Sequence, residues 1–144
     1  MKFRLIIDGS AKDDVTLTVK KPSPLTDKIE ELVNSYCGSD KITVQTKNSL
    51  KQLTFSEIEC ITVIDGKTCV IADSGERFES KMRLYELEEL LPSGFIRINK
   101  SAIANKEMLD RFTAGYSGSV NAVFKSGYTD YVSRRCFAKI RKEF

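Results

Sequence analysis

The reading of this chain turns on Phe95-Ile96-Arg97-Ile98-Asn99-Lys100-Ser101 and, further along, Val132-Ser133-Arg134-Arg135. In the first segment the apolar, β-prone Phe95-Ile96-Arg97-Ile98 predicts a strand whose Phe95 enters the core, and Asn99-Lys100-Ser101 breaks it. In the second, Ser133 is placed to cap a helix that opens on two arginines. Between them lie apolar pairs and glycines at strand-and-turn spacing. The layout predicts two basic, hydrogen-bonding loops brought to one edge of a β framework.

Downstream of Ser101, Asn105 reads as the N-cap of a short helical turn through Met108 and Leu109. Phe112, then Val120, Ala122 and Phe124, then Tyr128 and Tyr131, predict strands joined at Gly115, Gly118 and Ser126-Gly127. A terminal helix follows over 134–142, with Phe137 and Ile140 facing inward. Upstream, Ser80 is expected to cap a helix over 81–91, with Leu84, Leu87, Leu90 and Leu91 as its buried stripe and Pro92 as its stop. Earlier still, short strands are expected at Ile42 and Val44, at Leu50, Leu53 and Phe55, at 57–64, 67–72 and 76–79. Asp65-Gly66 and Ser74-Gly75 supply the turns between them.

The first forty residues have a different character. Phe3, Leu5 and Ile7, then Val15, Leu17 and Val19, alternate as an antiparallel strand pair would. Ser23-Pro24 opens a helix whose Leu25, Ile29, Leu32, Val33 and Tyr36 share one face, with Gly38 as its C-terminal stop. A ββα unit of this size cannot bury much core alone. The fold class expected is therefore α+β, mostly β with short helices, with an N-terminal region over 1–40 and the main domain over 41–144.

Composition excludes several function classes. The chain has no histidine, so Ser-His-Asp and Cys-His catalysis are ruled out. It has neither a phosphate-binding P-loop nor a G-x-G-x-x-G segment. Carboxylate-only chemistry survives that exclusion, but no nucleophile, base or metal site points to an enzyme. Cys37, Cys60, Cys69 and Cys136 are widely separated, so free thiols are expected rather than a zinc site, and no cofactor is implied. The opening apolar run is too short for a signal peptide, and no segment approaches the ~18 apolar residues of a membrane span, which sets a cytoplasmic expectation. Charge is uneven: residues 1–92 hold 13 Lys and Arg against 16 Asp and Glu, and residues 93–144 hold 10 against 4. A basic third beside an acidic remainder is the footprint of a nucleic-acid binder, and also that of a solvated charged face.

The order of elements resolves part of that ambiguity. Short strands run to Asp65-Gly66-Lys67-Thr68, a helix ends in Leu-Leu-Pro, Phe-x-Arg-x-Asn-Lys-Ser-x-Ile-x-Asn follows, then two strands and Val-Ser-Arg-Arg opening a helix. Over about residues 41–144 this resembles the LytTR-type DNA-binding domain of bacterial transcription regulators. The resemblance implies an elongated β fold of about ten short strands that presents loops to successive major grooves of bent DNA, on sites arranged as direct repeats. It places Lys100 at a base-reading position with Asn99 and Ser101 beside it. Arg135 takes a second such position, with Ser133, Arg134 and Lys139 on the same helix, and Lys67 or Thr68 a third. Two departures, Thr62 after Ile61 and Ala104 before Asn105, lie away from that edge. Too few residues precede the domain here for a phosphoacceptor receiver. The chain is similar to the stand-alone subclass, which the resemblance pairs with a small membrane protein that restrains it. The acidic leader helix could instead serve a homodimer.

The expected partner is thus double-stranded DNA, with no small-molecule substrate. Arginine can make a bidentate pair with guanine O6 and N7, and lysine can donate to the same atoms. Two arginines at a helix start are disfavoured by the helix dipole unless an anion sits there. The competing reading is a protein-interaction module whose basic edge engages an acidic partner. RNA binding is disfavoured because Phe95, Phe112, Phe124 and Phe137 occupy core-like positions rather than exposed stacking platforms.

Overall fold

The computed structural model describes residues 4, 9–10, 15–37 and 40–143. The chain divides into two compact units, Met1–Cys37 and Gly38–Phe144.

In the first unit, Ser23 and Thr26 cap one another. Thr26 N–H donates to Ser23 Oγ at 3.4 Å and Ser23 N–H donates to Thr26 Oγ1 at 2.9 Å. Proline at the first helical position then starts α1 (Pro24–Cys37), as the Ser23-Pro24 signature predicts. The expected apolar stripe is not buried: Leu25 is 45% and Leu32 70% exposed. Residues 15–20 carry no strand, and Val15, Leu17 and Val19 are exposed. Alternation alone cannot make a strand without a partner edge. The expected partner through Phe3, Leu5 and Ile7, and the Gly38 stop, lie outside the described residues.

The second unit holds ten strands, all paired antiparallel. They are β1 (Lys41–Gln45), β2 (Leu50–Thr54), β3 (Ile58–Ile64), β4 (Lys67–Ala72), β5 (Arg77–Ser80), β6 (Phe95–Asn99), β7 (Ala102–Asn105), β8 (Leu109–Ala114), β9 (Val120–Phe124) and β10 (Thr129–Val132). Seven of them form one sheet in the order β2-β1-β5-β4-β3-β7-β6, and β10-β9-β8 form another. Helix α2 (Leu84–Leu90) lies between β5 and β6, and α3 (Arg134–Glu143) follows β10.

The larger sheet buries both faces, which explains the near-continuous apolar run of β3. On one face Ile42, Val44, Leu53, Ile61, Val70, Phe78 and Ile103 pack with Leu84 and Leu87 of α2. On the other, Cys60, Ile71, Ile98, Ala102 and Ala104 meet Ala122 and Phe124 of the smaller sheet, with Val132 and Ile140. Two fully buried alanines on this second face, Ala102 and Ala104, and Ala122 opposite them put small side chains where the two sheets meet. Phe95 packs edge-on against Phe55, with ring centroids 6.3 Å apart, as its strand position predicts.

A buried carboxylate joins the sheets. The β3–β4 register shifts between Ile58 and Cys60, so Glu59 sits at a bulge. Its side chain is fully buried and accepts from Ser126 N–H at 2.9 Å and from Ser126 Oγ at 2.5 Å, in the β9–β10 turn. Both oxygens of the buried carboxyl group are thereby hydrogen-bonded, which burial of a polar group requires.

Two helix-level expectations need correction. Ser80 does not cap α2. It ends β5, and its Oγ accepts from Met82 N–H at 3.1 Å, so the helix begins at Leu84, where Arg83 N–H donates to Glu86 Oε1. The predicted stripe is also narrower: Leu84 and Leu87 are buried, but Leu90 is 41% exposed because a helix this short turns only part of one face inward. Cys60, Cys69 and Cys136 are free thiols. Burial foremost, then the neighbouring Asp130 and Glu59 charges, push the Cys60 thiol up.

Candidate nucleic-acid interface

The β6–β7 turn is the centre of the candidate site. Asn99 ends β6, Lys100 and Ser101 form the turn, and β7 returns at Ala102. Neither Lys100 nor Ser101 has a positive φ, so the turn lacks the left-handed residues that normally close a two-residue hairpin. Hydrogen bonds from outside replace that local chemistry. Asn99 Oδ1 accepts from Ser101 N–H at 2.7 Å. Arg97 Nη1 donates to the Lys100 carbonyl at 2.6 Å, and Val63 N–H donates to the Ser101 carbonyl at 2.9 Å. The Arg97 guanidinium is itself gripped by Glu88 of α2, at 3.1 and 2.9 Å.

The same turn is tied to the start of α3. Asn99 Nδ2 donates to the Tyr131 carbonyl at 2.8 Å, and Ser133 N–H donates to the Ile98 carbonyl at 2.8 Å. That carbonyl is available because the β6–β7 register shifts between Arg97 and Asn99. Ser133 then caps α3 as its sequence context predicts: its Oγ accepts from Cys136 N–H at 3.2 Å, and its carbonyl accepts from Phe137 N–H at 2.8 Å. The N–H groups of Arg134 and Arg135, in the first helical turn, have no partner within the helix. Both arginines are exposed, as is Lys139 one turn on. Helix α3 carries five basic residues and one acidic residue.

On the other side stands the β3–β4 hairpin. Asp65 at φ 51° and Gly66 at φ 75° form the left-handed pair that its Asp-Gly sequence predicts. Lys67 is exposed, with Nζ 3.8 Å from Glu79 on β5. A cleft of about 320 Å³ opens between this hairpin and the 99–101 turn, with Gly66, Thr68, Arg83, Tyr85, Arg97 and Lys100 among its lining.

The structure therefore gathers the expected segments while assigning two of the residues differently. Lys100, Arg134, Arg135, Lys139 and Lys67 are exposed, and Ser101 and Ser133 are half-buried at the joints. Asn99 is 1% exposed and uses both ends of its amide inside the protein. It is a positioning residue, not a projecting contact, because a buried amide must satisfy its donors and acceptors internally. Thr68 is 8% exposed, between Val63 and Ser80 in the sheet, so it forms cleft wall. Arg97, which the sequence reading passed over as a strand residue, braces the turn.

A second polar cluster lies by β10. Tyr128 Oη donates to Asp130 Oδ2 at 3.0 Å and the Arg77 guanidinium lies 5.7 Å from the Tyr128 ring. Burial, then the Asp130 charge, push the Tyr128 phenol well above its ordinary range, so it stays a neutral donor. Among the described residues, no group of three or more Cys, Asp or Glu could hold a metal ion, and no helix is long and apolar enough to cross a membrane.

Residues 48–144 match the model of the LytTr DNA-binding domain family. Uncharacterised HTH-type transcriptional regulators of Staphylococcus aureus are similar over nearly the whole chain. The protein of strain NCTC 8325 is 29% identical over 99% of this chain and 97% of its own, and that of the bovine strain RF122 is 27% identical with the same coverage. No helix–turn–helix occurs among the described residues here, since strands separate the three helices. Among solved structures, the chain described as the LytTr DNA-binding domain of a methyl-accepting/DNA response regulator from Bacillus cereus superposes with a TM-score of 0.65 at 26% identity. It covers 72% of this chain and 94% of that one. Its match agrees with the mostly β fold of about ten short strands with short helices that the resemblance implies. The family is one of DNA-binding transcriptional regulators, not an enzyme class, and this chain belongs to the LytTR DNA-binding domain family.

Proposed function

We propose that the protein is a sequence-specific transcriptional regulator that reads major-groove bases of duplex DNA through its loops. Lys100 and Arg135 donate to base edges, Lys67 reaches from the hairpin, and Ser101, Ser133, Arg134 and Lys139 engage phosphates. The observation that carries this reading is Asn99. One buried amide ties the turn bearing Lys100 to the strand end that leads into Arg134 and Arg135. Base reading needs donors held in fixed register, and such ties supply it.

The protein acts in this reading as a homodimer on a repeated site in the cytoplasm. Exposed Leu25 and Leu32 on α1 support a second copy as partner of the N-terminal unit. Restraint by a small membrane protein is carried by the resemblance to the stand-alone subclass alone. Selection of bound duplexes from a random library tests the reading directly: it should return one motif, present twice at fixed spacing. Failure to enrich any sequence, with no binding to random duplex at low salt, sinks it and favours an acidic protein partner. Sedimentation equilibrium should show a dimer that Leu32→Glu converts to monomer; a monomeric parent chain removes the dimer.

A further inference from the structure

Two clefts adjoin the residues assigned above, and each adds an arginine that the assignment leaves out. The first lies on the hairpin side and includes Arg83 and Lys100 with Gly66 in its lining. The second, about 360 Å³, lies between α3 and the β8–β9 loop, and includes Arg134, Arg141, Phe137 and Gly118. They share a construction. Each has a glycine at positive φ, Gly66 at 75° and Gly118 at 76°, and a Cβ built on either meets nothing within 4 Å. Backbone there is open to a bulky group. Each cleft also has a guanidinium with no ion pair among the described residues. Arg97, beside Arg83, is already neutralised by Glu88, while Arg83 has no such partner. In the second cleft Arg141 is exposed, with its guanidinium carbon 5.9 Å from the centre of the Phe137 ring, within cation–π range.

We infer that these clefts are phosphate seats, and that Arg83 and Arg141 hold the two DNA backbones that border the major groove read by Lys100 and Arg135. The inference rests on the DNA-binding reading and deepens it. Its geometry comes from the ladder of bonds around the turn. The hairpin is joined to the turn through Val63 and Ser101, and the α3 start is joined to its other side through Tyr131 with Asn99 and Ser133 with Ile98. One cation-lined cleft thus opens on the turn from the hairpin, and the other lies along the helix whose start is bonded to the turn. A major groove is bordered by one phosphate backbone on each side, and arginine forks match phosphate oxygens in pairs. These contacts fix position and carry no sequence information.

Salt titration separates the possibilities. Binding of the full chain to a random-sequence duplex is measured across salt concentrations for the parent chain, Arg83→Gln, Arg141→Gln and the corresponding lysine variants. Each glutamine variant should lower the log–log salt slope by about 0.9, one phosphate contact's worth, and each lysine variant should restore it. The motif selected from a random library should stay unchanged. A parent slope that is steep and equal in either glutamine variant overturns the inference while leaving the DNA reading intact. A changed motif overturns it too, because the residue then reads bases. A flat parent slope removes the DNA reading, and the inference with it.

Discussion

The turn between β3 and β4 and the turn between β6 and β7 bring lysines to the same edge of the molecule, but they keep their shape by different means. The first is closed by its own backbone. Asp65 and Gly66 adopt the left-handed pair, and the adjoining Lys67 has one neighbour of note, Glu79 at 3.8 Å. The second has no left-handed residue and is held from outside by Arg97, Val63 and both ends of the Asn99 amide. A self-closed turn tolerates change around it, whereas a braced turn inherits the state of its braces.

Substitutions should expose that difference in a graded order. Asn99→Ala should have the largest effect. It leaves the part-buried Tyr131 carbonyl and Ser101 N–H without their partner, costing about 1–3 kcal/mol and lowering Tm by several degrees. Specific DNA binding should fall with it, even though Asn99 touches no DNA in this reading. If thermal melts and gel shifts both match the parent chain, the braces do not hold the turn. Lys100→Ala comes next and should separate shape from contact: Tm unchanged, specific affinity lower by about 1–3 kcal/mol, and one base preference relaxed.

On the hairpin side the effects should be smaller and local. Gly66→Ala introduces no clash, since a Cβ there meets nothing within 4 Å, and its cost of about 1 kcal/mol comes from the positive φ alone. Gly66→Asn should recover much of that loss, because asparagine tolerates the left-handed region; equal Tm values for the two variants would contradict the turn chemistry. Lys67→Ala should change stability least, by within about 0.5 kcal/mol, because its partner is exposed and distant. It should weaken DNA binding less than Lys100→Ala. A loss as large as that of Lys100→Ala would mean the self-closed turn positions its lysine as firmly as the braced one.

The same contrast separates what the amino-acid order discloses from what it hides. Asp65-Gly66, the 67–72 strand, the Asn105 cap and the Ser133 cap are local devices, and each is found where residue chemistry places it. Asn99 looked like a loop residue beside a lysine because its decisive partner, Tyr131, lies 32 residues away. Glu59 was invisible for the same reason: an acid inside an apolar strand reads as a solvent-facing position until Ser126, 67 residues on, is brought to it. The helix expected from Ser80 started late because serine followed by polar residues caps a bend as readily as a helix. Composition and charge pointed to the basic edge, and only folding showed which polar residues reach outward from it.

The bracing of the β6–β7 turn has one consequence for how such a protein changes over time. The interactions that shape the turn use the Lys100 carbonyl, which every amino acid possesses, together with the side chains of Arg97 and Asn99. The side chain at position 100 takes no part in holding its own backbone. Residue 100 is therefore an interchangeable tip on a fixed mount: under the proposed DNA reading, a single substitution there changes the operator without loosening the fold.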